Sequence, residues 1–158
     1  MATDFPKSTA SIGGHPIHPM LVPFPIAFLV AALLTDIAYV NWKWATWAYA
    51  STWLIGAGIV SALLAAIAGF TDFFGERRIR RLRVAWYHMI GNLVAVVVSV
   101  INLLVHNRDG AEAVIPTGIT LSAIVVLLLL FNGWMGGHLV YRHGVAVRPL
   151  QEDAPRDD

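Results

Sequence analysis

Four apolar stretches divide the chain among them: residues 20–40, 52–74, 84–105 and 117–134, the last with an amphipathic extension to Tyr141. Each approaches or exceeds the roughly 20 residues that a helix needs to cross a ~30 Å hydrocarbon layer. A long helix in a soluble protein carries a polar stripe at helical spacing, whereas residues 121–131 hold only Ser122 as a polar side chain. A soluble core is therefore not expected. Composition agrees, with 57% hydrophobic and 13% charged residues and a mean hydropathy of +0.64. The expected fold is all-α, an integral membrane four-helix bundle with both termini on one side. Along the chain this gives an N-terminal segment with a His-Pro strap (1–18), the four-span bundle (19–143) and a disordered charged tail (144–158).

The basic residues set the expected orientation. Lys7, Arg77, Arg78, Arg80, Arg81, Arg83, Arg142, Arg148 and Arg156 fall on one side, and only Lys43 and Arg108 on the other. The positive-inside rule then places both termini and the arginine loop in the cytoplasm, as in a multi-pass membrane protein. Trp42, Trp44, Trp47 and Trp53 would form the outer aromatic belt, and Trp86, Tyr87, Trp134 and Tyr141 the inner one. The N-terminus carries one lysine, and the apolar segment behind it lacks a small-residue cleavage site, so no cleavable signal peptide is expected. Membrane lipids are the expected partners, while a net charge of +1 offers no field for nucleic acid.

Cysteine is absent, which removes disulfides, thiolate metal sites and thiol nucleophiles. Any metal must sit on histidine, carboxylate or amide. No Ser-centred elbow, phosphate-binding glycine loop or His-Glu-x-x-His helix occurs, so an enzyme of those classes is not expected.

The histidines distribute by depth. His15 and His18, in Gly14-His15-Pro16-Ile17-His18-Pro19-Met20, open the first span. Each precedes a proline, which favours extended backbone for both. His88 opens the third span, and His138 and His143 close the fourth. Asp72 ends the second at the same level, so every helix sends a candidate group there. His88 shares a helical face with Gly91 and Asn92, whereas His138 and His143, five apart, do not share one, and His138 is preferred. His106 lies at the opposite end in a polar loop, where solvation is expected.

Imidazoles without cysteines suit haem b, copper, zinc or non-haem iron. The expected cofactor site therefore comprises His15, His18, His88, His138, Asn92 and Asp72. His18 and His88 are the first axial pair, with His15, His138 and His143 as alternates. Carbonyls of the proline strap would orient His18. The carbonyl one turn earlier, Thr71 or Asp72 would orient His88. Asp36, an intramembrane carboxylate, should face the bundle, with Asn102 or His106 as partner. Gly58, Ala62, Ala65 and Gly69 make a smooth strip for close helix approach. Gly133 and Gly137 make a second such pair, and Leu128 should face lipid.

Taken together, the 14–26 segment, Gly69-Phe70-Thr71-Asp72, Trp86-Tyr87-His88-Met89-Ile90-Gly91-Asn92 and Gly133-Trp134-Met135-Gly136-Gly137-His138 through Val145 resemble the bacterial DUF2231 family of small four-helix membrane proteins. The resemblance runs over residues 14–147. Some members look fused to Rieske-type iron–sulfur domains, which implies electron transfer, with a redox partner supplied here by another protein. Two other classes stay open: a cofactor-free structural or lipid-contacting membrane subunit, and a small transporter or proton conduit using Asp36. A homo-oligomer is compatible with each.

Overall fold

The computed structural model describes residues 5–147. A two-residue antiparallel bridge, β1 (Ser11–Ile12) with β2 (His15–Pro16), precedes the helices. Gly13 and Gly14 turn it with φ of 55° and 80°, a region that costs glycine nothing. Then follow α1 (Ile17–Leu21), α2 (Pro23–Trp42), α3 (Ala45–Gly75), α4 (Arg77–Arg80) and α5 (Arg83–Asp109). A 3-10 helix (Gly110–Val114) and α6 (Thr117–His143) complete the chain. Four of these segments are long and apolar enough to cross a membrane, and each overruns the apolar stretch that announces it.

Local chemistry sets the boundaries. Pro23 and Pro25 have no N–H, so the helical bonds to the carbonyls of Pro19 and Leu21 cannot form, and α1 and α2 meet at this defect. Lys43, left-handed at φ 58°, stops α2, and Gly144 at φ 60° stops α6. Glu76 caps α4 by accepting the Arg78 backbone N–H at 3.0 Å. Its carboxylate also takes two bonds from the Arg78 guanidinium, at 3.2 and 3.0 Å.

The spans close into a ring in which α2 packs on α3, α3 on α5, α5 on α6 and α6 on α2. Small residues line the interior: Ala32, Ala65, Ala68 and Ala95 are buried, and Leu29 fills the space that a side chain on Gly58 would need. Large apolar side chains such as Trp53, Val60, Ile67, Leu104, Leu127 and Leu130 point outward instead. Inside, Asp36, Ser51, Ser99, Asn102, His106, Ser122 and Asn132 are buried. Polar groups inside and apolar groups outside are what a bilayer demands of a helical bundle.

The two ends are closed differently. At one, residues 5–16 cross as a strap: Ala10 accepts the Ile17 N–H at 2.9 Å, and Pro6 accepts the Ala146 N–H at 2.9 Å. Phe5 packs against Gly144. Both described ends of the chain therefore emerge together. At the other, the 3-10 helix packs against all four spans, with Ala113 and Val114 buried as a plug.

Several expectations need correction. Of the segment expected as a tail, Gly144 to Val147 cap α6, with Ala146 bonded to the strap; residues 148–158 lie outside the described residues. The strip of Gly58, Ala65 and Gly69 does pack, but among the described residues a β-carbon on Gly133 would meet no group within 4 Å and one on Gly137 only Tyr141 of its own helix. Leu128 is half-buried, and Leu127 and Leu130 are the exposed residues of that segment.

Candidate functional site

His18 and His88 meet at the strap end. His18 belongs to α1, not to extended backbone as its following proline suggests, because Pro19 stands in the first turn, where no N–H is needed. The His18 Nδ1 lies 2.8 Å from the carbonyl oxygen of Ala65 on α3. The His88 Nδ1 lies 3.0 Å from the carbonyl oxygen of Asn132 on α6. A carbonyl only accepts, so in both rings Nδ1 carries the hydrogen, and the neutral ring keeps its lone pair on Nε2. The ring centroids are 6.3 Å apart with planes at 87°.

Glycines make this approach feasible. A β-carbon on Gly69 would stand 3.0 Å from the His18 ring, and one on Gly136 3.2 Å from the His88 ring. Asn92, one turn along α5, donates from Nδ2 to the His88 carbonyl at 2.8 Å and stands 3.2 Å from the His88 Nε2, consistent with the lone pair there. Asn132 is buried against Gly91, and neither atom of its side-chain amide has a hydrogen-bond partner among the described residues. That is an unusual cost next to two ligand-competent imidazoles.

The other expected members lie elsewhere. His15 is exposed in the β1–β2 bridge. His138 packs between Trp134, at 5.9 Å, and His143, at 5.3 Å between ring centroids, so these two histidines do meet although five residues apart. Asp72 is the strap's anchor: it accepts from Ser8 Oγ at 2.8 Å, Thr9 Oγ1 at 3.3 Å and the Ala10 N–H at 2.7 Å. The groups that orient the pair are thus the backbone of Ala65 and Asn132, not the strap carbonyls, Thr71 or Asp72. A backbone acceptor leaves no mark in sequence, although Gly69 and Gly136, which admit the rings, are visible there. Among the described residues no three His, Asp or Glu side chains converge as a site for a bare metal ion.

A family model described as "Predicted membrane protein (DUF2231)" matches residues 14–149. The chain belongs to this family. Searches of curated proteins and of solved structures found no match to it.

At the plug end this DUF2231 protein holds a second polar cluster. Asp36 of α2 is fully buried, and its Oδ1 lies 3.3 Å from Nε2 of His106. Ser122 donates to Asp36 Oδ2 at 2.6 Å and accepts from Asn102 Nδ2 at 2.8 Å. The His106 Nδ1 lies 3.0 Å from the Asn102 carbonyl oxygen. His106 is 2% exposed, so the expected solvated loop histidine is in fact a core residue, because α5 runs on to Asp109. Asn102 and His106 both join the cluster, as expected for partners of Asp36. Ser122 was legible only as the one polar residue of an apolar run.

Proposed function

We propose that His18 and His88 hold a haem b near the strap end and that the protein carries electrons within the membrane to or from a redox partner protein. The observation that carries this reading is that two imidazoles from separate helices lie with ring centroids 6.3 Å apart and planes at 87°, both Nδ1 atoms committed to carbonyls. Neutral rings with that tautomer fixed present Nε2 lone pairs, the form in which histidine binds a metal. Opposed imidazoles bound to one metal at about 2 Å each keep their ring centroids about 6 Å apart, close to the spacing found here. A site with two protein ligands suits a metal that brings its other ligands with it, as haem does. When bound, the group supplies a reversible one-electron change at its iron.

The chain's own residues do the rest. Ala65 and Asn132 hold the rings by their carbonyls, and Gly69 and Gly136 leave space beside each ring. Asn92 has to release the His88 Nε2 while keeping its bond to the His88 carbonyl. The unpartnered Asn132 amide offers a donor and an acceptor to a polar edge. The arginine-rich side is read as cytoplasmic and the membrane as the bacterial inner one.

Full-length protein from cells supplied with haem precursor should show a low-spin Soret band, lost or altered by His18→Ala and by His88→Ala and retained in His15→Ala and His143→Ala. Colourless protein without stoichiometric iron defeats this reading.

A further inference from the structure

The Asp36 cluster has no part in that reading, and its hydrogen bonds run in a closed circuit. Asn102 Nδ2 donates to Ser122, and Ser122 to Asp36 Oδ2; the His106 Nδ1 lies against the Asn102 carbonyl. Since that carbonyl accepts only, Nδ1 carries a hydrogen. The Nε2 of a neutral His106 would then present a lone pair to Asp36 Oδ1 at 3.3 Å. Two acceptors do not face each other in a fully buried site unless a proton lies between them. Both side chains are 0% exposed, so without it the cluster would also carry an uncompensated charge.

We propose that Asp36 and His106 form an intramembrane proton-binding site, holding one proton between the carboxylate and Nε2 and exchanging it with water on the Gly110 side beneath the 3-10 plug. Release sends H⁺ to water and takes the pair from zero charge to −1. The exit is short. Gly118 sits between the His106 ring and the plug: its β-carbon would come 2.6 Å from His106 Cε1 and 2.9 Å from the Ala113 carbonyl oxygen. Asn102 Oδ1 is buried with no hydrogen-bond partner among the described residues, an acceptor for a water that carries the proton. Around this end α2 brings Tyr39 and Lys43, α3 Tyr49, α5 Arg108 and Asp109, and the 3-10 helix Glu112. All are exposed except the half-buried Tyr39. The polar side chains of α3 and α6 buried in this half of the bundle are Ser51 and Ser122.

The test uses the full chain in lipid nanodiscs with ¹⁵N-histidine and ¹³C-aspartate labels, the signals assigned with Asp36→Asn and His106→Gln. Near neutral pH the expected spectrum shows His106 Nδ1 protonated, with either a protonated Nε2 beside an ionised Asp36 or a bare Nε2 beside a protonated Asp36. Both patterns are one proton in the pair. A bare Nδ1, or a neutral His106 beside an ionised Asp36, overturns the proposal. In vesicles buffered separately on each side, both signals should follow the pH of the Gly110 side as it is raised; following the strap side, or neither, overturns the exchange route. Asp36→Asn can donate to Nε2 and accept from Ser122, so it keeps the circuit without the proton. It should release one proton fewer per chain than wild type in an alkaline jump, and equal release overturns the assignment. If that variant does not fold, the wild-type spectrum still decides.

Discussion

His18 rests on Gly69: a β-carbon there would stand 3.0 Å from both Nδ1 and Cε1 of the imidazole. The ring must then shift from the Ala65 carbonyl if Gly69 gains a side chain. Overfilling such a contact costs about 1–3 kcal/mol. Gly69→Leu should lower the thermal midpoint in detergent and remove the proposed cofactor's spectrum. Gly137→Leu, which meets only Tyr141 of its own helix, and the lipid-exposed Leu127→Ala should shift the midpoint little. Equal losses for Gly69→Leu and Gly137→Leu would remove this assignment of packing faces.

Asp72 gathers three donors from the strap onto one carboxylate oxygen. Bonds to a charged acceptor contribute about 1.5–3 kcal/mol each when buried, and less here because the site is only part-buried. Asp72→Ala should therefore release residues 5–16 before it unfolds the bundle. Hydrogen exchange at the Ala10 amide and protease cleavage within the strap should both accelerate. An Ala10 amide that stays protected would show that another group anchors the strap.

Glu76 links acid sensitivity to the arginine loop. Hydrogen bonds from the Arg78 side chain and backbone hold its carboxyl down to about 2. Its pKa is lower folded than unfolded, where about 4.3 is ordinary, so its contribution is present above about pH 4.3 and is lost as pH falls toward 2. Solvent screening keeps it below about 1 kcal/mol. The small stability gap between wild type and Glu76→Gln should close across that window. A gap unchanged at pH 2 would assign it to a difference between the two side chains other than charge.

Orientation is open to direct measurement. Reporter fusions after Arg83 and after Asp158 should report cytoplasm and one near Gly110 the opposite side, given nine cationic residues against two. A Gly110 fusion that agrees with the other two would reject the four-span topology.

Much of this architecture is legible in the residues alone. A helix must satisfy its backbone internally in a bilayer, and only four segments are long and apolar enough to do so, which determines the fold class. Depth is legible for the same reason: residues at the ends of spans share a level, so His18 and His88 could be named as a pair. Rotation about each helix axis is a different matter. His15 and His138 stand at the right depth but not in the site, because one lies in an exposed turn and the other packs on Trp134 and His143.

What only the tertiary structure decided is which polar groups meet. The acceptors for His18 and His88 are backbone carbonyls of Ala65 and Asn132, and every residue has a carbonyl, so no side-chain pattern marks them. His106 looked like a loop residue because its neighbours Asn107, Arg108 and Asp109 are polar. Packing of α5 against α3 and α6 carried its ring inward to Asp36 while those three stayed exposed. One helical turn holds both a buried face and a solvated one, and the sequence determines the turn, whereas the neighbouring helices select the face.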